Sequence, residues 1–237
     1  MSSDKKARIA LISGANRGIG AEIARNLRSH GYCVSLGARD VGMLEKVHGK
    51  PDSTMHFGRF DAFDKESTKE WVASAVNHFG RIDALVNNAG NGNQVSLMDD
   101  DEEALDELLT VNVKAPLRLT RLCIPHLAKT GHGRIINIVS LSGKRVRNAF
   151  VGYNLSKFAA MGLTHTTRHA TWDQGIRTTA ICPGFVHTDM SAYTSKVTPE
   201  EMTQPETIAH LVRTAIELPN NAAMAEMLVN CRLEDML

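Results

Sequence analysis

Residues 8–20 read Arg8-Ile9-Ala10-Leu11-Ile12-Ser13-Gly14-Ala15-Asn16-Arg17-Gly18-Ile19-Gly20, and the reading of this stretch decides the fold. Its first half is a short apolar run of strand type. Its second half holds three glycines, and residues 18–30 then carry apolar side chains at helical spacing. A strand that enters a glycine-rich turn and leaves as a helix brings unpaired backbone N–H groups and a positive dipole end to one place. Glycine also lets the backbone turn sharply and approach a phosphate closely. Gly14, Asn16, Arg17, Gly18, Ile19 and Gly20 therefore form a candidate nucleotide turn, with three residues between the first two glycines. Taken alone, such a turn also fits a plain tight connection.

Working outward, strand-like runs recur at 8–13, 32–38, 54–60, 82–87, 134–139, 177–182 and 226–230. Helical spacing fills 18–30, 67–79, 104–128, 149–171 and 205–218. Strand–helix alternation predicts an α/β fold: a doubly wound, mostly parallel seven-stranded sheet with helices on both faces. With 237 residues, no internal repeat and no linker, the chain reads as one domain over 1–237. The acidic run Asp99-Asp100-Asp101-Glu102-Glu103 suits a helix start, where carboxylates meet the positive dipole end.

A net charge of +1 gives no drive toward nucleic acid or an anionic membrane, and no apolar run is long enough to span a bilayer. Four scattered cysteines without paired spacing read as reduced thiols. Residues 1–8 are polar and lack the layout of a signal peptide. The expectation is a cytoplasmic protein. His165 and His169 lie one helical turn apart without a third ligand, so no metal site is expected.

In an open sheet of this kind, ligands bind beyond the carboxyl ends of the strands. The second strand ends at Ala38-Arg39-Asp40. An acid there would take ribose hydroxyls, whereas arginines take a 2′-phosphate through charge-assisted bonds. Arg39 and Arg17 favour the phosphate, with Asp40 as the dissenting residue. The third strand runs into Asp61-Ala62, placed for an adenine amino group or for a helix cap. The fourth runs into Asn87-Asn88-Ala89-Gly90, a small polar turn suited to lie along a ribose. The sixth runs into Pro183-Gly184-Phe185-Val186-His187-Thr188, which would carry the backbone past the far end of the same ligand. Residues 189–204 are polar, with Met190 and Tyr193 as apolar hooks, and read as a short lid or a surface connection.

The fifth strand delivers Ser140, and the next helix carries Tyr153 and Lys157 on one face. A tyrosine near pKa 10 makes a useful acid–base group at neutral pH only if its pKa falls, and a nearby ammonium would lower it. Ser140 would then fix a substrate oxygen. Asn112, an amide inside an apolar helical run, either holds a water leading from Lys157 or serves as a structural amide. The basic run Lys144-Arg145-Val146-Arg147 reads as a solvated loop or as a receptor for an acidic substrate group.

Together these residues resemble the short-chain dehydrogenase/reductase family over nearly the whole chain. The family's T-G-x-x-x-G-x-G turn appears from Ser13 to Gly20, with serine for threonine, and N-N-A-G is intact at Asn87–Gly90. The resemblance implies a Rossmann fold and a catalytic tetrad of Asn112, Ser140, Tyr153 and Lys157. It implies an NADP(H) site formed by Gly14, Asn16, Arg17, Gly18, Ile19, Gly20, Arg39, Asp61, Ala62, Asn88, Ala89 and Gly90, completed by Tyr153, Lys157, Pro183, Gly184, Val186 and Thr188. The implied activity is NADP(H)-dependent hydride transfer between nicotinamide and a small-molecule carbonyl or secondary alcohol, by a homodimer or homotetramer. Lacking an Asp-Gly-Gly turn near its last strand and having a short lid, the chain is more similar to members acting on 3-hydroxy acids or serine than to 3-oxoacyl carrier-protein reductases. A sensor that binds NADP(H) without turnover, or an isomerase or dehydratase on the same scaffold, is the alternative.

Overall fold

Each strand-like run becomes a strand, and all seven join one sheet. They are β1 (Ile9–Ser13), β2 (Cys33–Ala38), β3 (Met55–Arg59), β4 (Ala84–Asn87), β5 (Arg134–Ile138), β6 (Arg177–Pro183) and β7 (Glu226–Val229). The computed structural model describes residues 7–234, so most of the polar start of the chain lies outside the described residues. Sheet order is β3-β2-β1-β4-β5-β6-β7, with every neighbouring pair parallel. The sheet is thus wholly parallel. The chain winds outward from β1 to β3, then returns to start β4 against the other side of β1. That reversal leaves a crevice at the carboxyl ends of β1 and β4, where an open α/β sheet takes its ligand.

The helices are α1 (Gly18–Ser29), α2 (Val41–His48), α3 (Lys65–Phe79), α4 (Glu102–Leu109), α5 (Ala115–Ala128), α6 (Val151–Thr171) and α7 (Pro205–Glu217). Side chains alternate across a strand, so β1 feeds two cores. Ala10 and Ile12 pack with Ile23 and Leu27 of α1 and with Ile208 and Val212 of α7. Ile9 and Leu11 pack with Trp71 of α3 and with Leu119 and Cys123 of α5. Both faces are covered, which is why the strands read as continuous apolar runs rather than alternating ones. Among the described residues, no helix is long and apolar enough to cross a membrane.

Two helical expectations need correction. The expected helix over 104–128 is interrupted by a π-helical turn at Thr110–Lys114. Pro116 has no amide hydrogen to give the Asn112 carbonyl, so the ordinary ladder cannot run through. The second is α2, absent from the sequence pattern because it is short and buries only Leu44. Asp40 caps it, accepting from the Gly42 amide at 2.8 Å. Asp64 and Asp101 cap α3 and α4 in the same way, and Glu102 and Glu103 fill the first turn of α4 as the acidic run implied.

Trp71 sets the packing on the α3 face. Its ring lies flat over Gly37 of β2 and Gly58 of β3, and its Nε1 donates to Ser35 Oγ at 2.9 Å. A Cβ on Gly58 would stand 2.0 Å from Trp71 Cδ1. Gly58→Ala is therefore expected to destabilise the protein by about 1–3 kcal/mol, because a close-packed core cannot absorb the extra methyl without moving the indole. Urea denaturation should show a lower midpoint at unchanged slope; an unchanged midpoint would mean that the ring is free to move.

Candidate active site

The ends of β1 and β4 are joined by one hydroxyl. Ser13 Oγ accepts from the Asn88 and Ala89 amides at 3.0 and 3.1 Å and donates to the Val86 carbonyl at 3.4 Å. Asn88 Nδ2 returns the tie by donating to the Ser13 and Gly14 carbonyls, each at 3.0 Å. Glycine is required at two points here. Gly14 has φ +68°, and a Cβ on it would lie 2.9 Å from Ala89 Cα. A Cβ on Gly20 would lie 2.2 Å from the Gly14 carbonyl oxygen. Behind the turn, His48 Nε2 lies 2.8 Å from the Ala15 carbonyl oxygen, and burial lowers the His48 pKa, so near neutrality the ring is neutral and donates from Nε2.

Gly18, Ile19 and Gly20 open α1, whose N-cap Arg17 makes no side-chain cap, so the first N–H groups of α1 face the crevice end without an acceptor from a capping side chain. Asn16 is half-buried in the turn and Ile19 packs partly into the α1 core. Arg17 itself is exposed and pairs with Asp189 at 2.9 Å. Arg39 is exposed at the end of β2 and has no side-chain partner among the described residues. Asp40 caps α2 through Oδ1 and is otherwise exposed at the end of β2. Asp61 accepts from the Phe63 amide and pairs with Arg59 at 2.9 Å; the cap of α3 is Asp64, so the capping role considered for Asp61 falls to its neighbour. Ala62 is buried, and its carbonyl accepts from Arg118 at 3.2 Å.

At the other end of the crevice, β5 delivers Ser140 and α6 delivers Tyr153 and Lys157. Ser140 Oγ accepts from the Ser142 amide at 3.0 Å and lies beside the Tyr153 hydroxyl. Ser140, and not Ser142 two residues on, is the serine at the tyrosine. Lys157 is buried, with its Nζ 5.5 Å from the Tyr153 ring centre and 3.5 Å from the Ile138 carbonyl. Gly90 leaves room beside it, since a Cβ there would stand 3.9 Å from Lys157 Nζ and 3.4 Å from Asn112 Oδ1.

The expected depression of the Tyr153 pKa by Lys157 is not what the fold produces. Burial raises the Tyr153 pKa, and the Ser140 hydrogen bond opposes that only in part. Burial also lowers Lys157, to about 8, so the ammonium that was to stabilise a phenolate is itself disfavoured. In the protein alone, Tyr153 is a protonated acid at neutral pH.

Asn112 sits in the π-helical turn and is held from both sides. Its Oδ1 accepts from the Asn91 amide at 2.8 Å, and its Nδ2 donates to the Asn91 carbonyl at 2.9 Å and to Ser156 Oγ at 3.0 Å. Between Asn112 and Lys157 lies a cavity of about 10 Å³, also lined by Asn87 and Asn137. That is roughly the space of one water. Asn87 Oδ1 is buried without a hydrogen-bond partner, and Asn87 Nδ2 donates to Asn137 Oδ1 at 2.8 Å.

β6 ends in Pro183, after which Gly184 donates its amide to the Val229 carbonyl at 2.8 Å. Val186 is buried and its carbonyl accepts from Ser191 Oγ at 2.6 Å. The Thr188 methyl lies against Gly18, so the loop after β6 meets the glycine turn. Past it, Met190 packs on Gly92, and Tyr193 makes an edge contact with Phe150 at 6.5 Å between ring centres. The basic run beside the site is not open: Lys144 pairs with Glu226 at 2.7 Å and Arg145 with Glu234, both within the chain. His165 also pairs with Glu226, at 2.8 Å. Among the described residues, no cluster of three or more His, Cys, Asp or Glu could hold a metal ion.

The sequence named the groups at the strand ends but missed several that hold them. Ser13, Asn91, Ser156 and His48 act through hydrogen bonds to main-chain or amide groups, and Asp189 through its pair with Arg17. Of these, Ser13 was legible as the serine of the turn motif and Asp189 as an acid directly after Thr188.

Comparison with known proteins gives a consistent picture. Residues 8–198 match the short chain dehydrogenase family. The agropine synthesis reductase of Rhizobium rhizogenes is 51% identical over 227 residues, covering 95% of this chain and 53% of that protein. The chain therefore spans about half the length of the curated relatives it matches. Among solved structures, an alcohol dehydrogenase of the archaeon Thermococcus sibiricus complexed with 5-hydroxy-NADP superposes with a TM-score of 0.84 at 30% identity, covering 94% of this chain and 96% of that one. A metagenomic short-chain oxidoreductase in complex with NADP gives 0.80 at 29% identity, with 98% and 100% coverage. With a family match across most of its length and a relative this similar over nearly all of it, the chain belongs to the short-chain dehydrogenase/reductase family of oxidoreductases.

Proposed function

We propose that the chain is an NADP(H)-dependent carbonyl reductase acting on a small substrate, with Tyr153 as general acid–base. The observation that carries this is the gathering of Ser140, Tyr153 and Lys157 at the strand ends, one crevice away from a glycine cradle and an uncapped helix N-terminus. The turn fits a dinucleotide: Gly14 and Gly20 let its backbone close against Ala89 and onto itself, and the α1 N–H groups suit a pyrophosphate. Arg17 and Arg39 suit a 2′-phosphate, and the Asp40 carboxylate at the end of β2 spends one oxygen on capping α2. Relatives named for reduction and neighbours complexed with NADP support the same reading.

When bound, NADP(H) supplies the hydride. Ser140, whose Oγ already accepts from the Ser142 amide, has its own hydrogen to place on the substrate oxygen. Tyr153 gives its proton to that oxygen, and the protonated state favoured by burial is the one that reduction needs. Lys157 then restores the tyrosine proton, drawing on the small cavity that Asn112 borders. Residues 189–204 serve as the lid, held down by the contacts of Asp189, Met190 and Tyr193. The 51% identical relative is named for agropine synthesis, so carbonyl precursors of agropine belong among the candidate substrates.

Oxidation of NADPH and NADH with a panel of aldehydes, ketones and oxo acids tests this reading. Tyr153→Phe should lower kcat by about 10²–10⁴ while leaving NADPH binding within a few-fold. NADPH binding without turnover on any carbonyl would instead favour the sensor. The reductive rate should be level near neutrality and fall as pH rises through about 8, where Lys157 loses its proton; a rate still rising at pH 9 would remove Lys157 from the relay. Arg39→Ala should weaken NADPH binding about tenfold and leave NADH nearly unchanged, since only the phosphorylated cofactor uses the guanidinium. Equal losses for both cofactors in isothermal titration would show that Arg39 holds no phosphate.

A further inference from the structure

Arg17 is already engaged. Its Nη1 lies 2.9 Å from Asp189 Oδ2, and the two side chains are 69% and 74% exposed. The carboxylate is placed there by the backbone rather than by chance. Asp189 opens a 3₁₀ turn closed by a reciprocal capping box, in which Ser191 Oγ accepts from the Thr188 amide at 3.2 Å and the Thr188 side chain takes the Ser191 amide. Ser191 is buried and also donates to the Val186 carbonyl at 2.6 Å. Thr188, one residue before Asp189, rests its methyl on Gly18, one residue after Arg17. The guanidinium and the carboxylate are thus held face to face by two turns packed against each other.

We infer that Asp189 is a cofactor-discriminating residue: it competes with the 2′-phosphate of NADP(H) for Arg17. This rests on the NADP(H) reading given above. A phosphate that takes both guanidinium groups must either part Arg17 from Asp189 or accept a carboxylate beside its own negative charge. A cofactor without that phosphate makes no demand on Arg17, and the pair stays closed. Arg39 has no such competitor among the described residues. The chain therefore carries one open cation and one guarded cation for the same group, and Asp189 holds NADP(H) affinity below what two free arginines would give while leaving NAD(H) untouched. Because Asp189 begins the segment that covers the site, the same exchange frees that segment's first residue when NADP(H) binds.

The test is Asp189→Asn, which keeps side-chain shape and removes charge, read by isothermal titration of NADPH and NADH on the whole chain. Competition for an exposed pair should make NADPH bind about two- to fivefold tighter at low salt, with NADH unchanged. The gain should shrink as ionic strength rises past about 0.15 M. It should also vanish in an Arg17→Gln background, where there is no guanidinium to release. Unchanged or weaker NADPH binding by the Asn variant would overturn the proposal, as would a gain that survives Arg17→Gln, since that would be a diffuse field and not competition. If the unmodified protein fails to bind NADPH at all, the functional reading itself falls, and the proposal with it.

Discussion

Two strand ends from distant parts of the chain meet with almost nothing between them. The backbone of Gly14 touches Ala89, Gly20 touches Gly14, and the Ser13 hydroxyl takes both amides of the opposing turn. Much of the rest follows from that closeness. It fixes the separation of β1 and β4 at the point where the winding reverses, and it turns the first amides of α1 toward the same crevice. A side chain at Gly14 would push the two turns apart and take the phosphate cradle with them. The shape of the turn therefore depends on backbone approach more than on any side chain that could be exchanged.

The reacting end follows a different principle, which is burial. Lys157 and Asn112 are held in a buried region threaded by amides and hydroxyls, with Ser140 and Tyr153 beside it. Withdrawal from water pushes tyrosine toward its neutral form and lysine toward its own, opposite in charge but alike in cause. A protonated tyrosine beside a readily discharged lysine is a proton donor with a reserve, which suits the reductive direction. The π-helical turn matters for the same reason. By interrupting the helix at Pro116 it places Asn112 where its side chain can hold Asn91 and border the small cavity next to Lys157.

Around this centre, charge is arranged in closed pairs. Lys144 and Arg145, adjacent to the site in sequence, are bound to Glu226 and Glu234 near the end of the described chain. The basic run accordingly ties the loop after β5 to the last strand, and does not stand open to an incoming acid. Arg17 and Asp189 form the matching link on the cofactor side, far more exposed and so far easier to open. The contrast between the half-buried and buried pairs and the exposed one separates what fastens the fold from what can respond to a ligand.

Periodicity alone determined the seven strands, their alternation with helices and the order of functional groups at the strand ends, because each depends on neighbours a few residues away. Ser140, Tyr153, Lys157 and the glycines were legible for that reason. The helix at Val41–His48 was not, since only Leu44 is buried and a single apolar residue makes no period. The break at Thr110–Lys114 was hidden in an unbroken helical pattern, although Pro116 stood in plain view. What tertiary structure alone decided is which charges meet. Arg17 could have stood free until Asp189 was seen against it, and Arg145 could have faced substrate until Glu234, 89 positions away, was seen against it. Pairings of that kind, and the direction in which burial moves Tyr153, depend on distances through space and on the water excluded between groups, and neither is written along the chain.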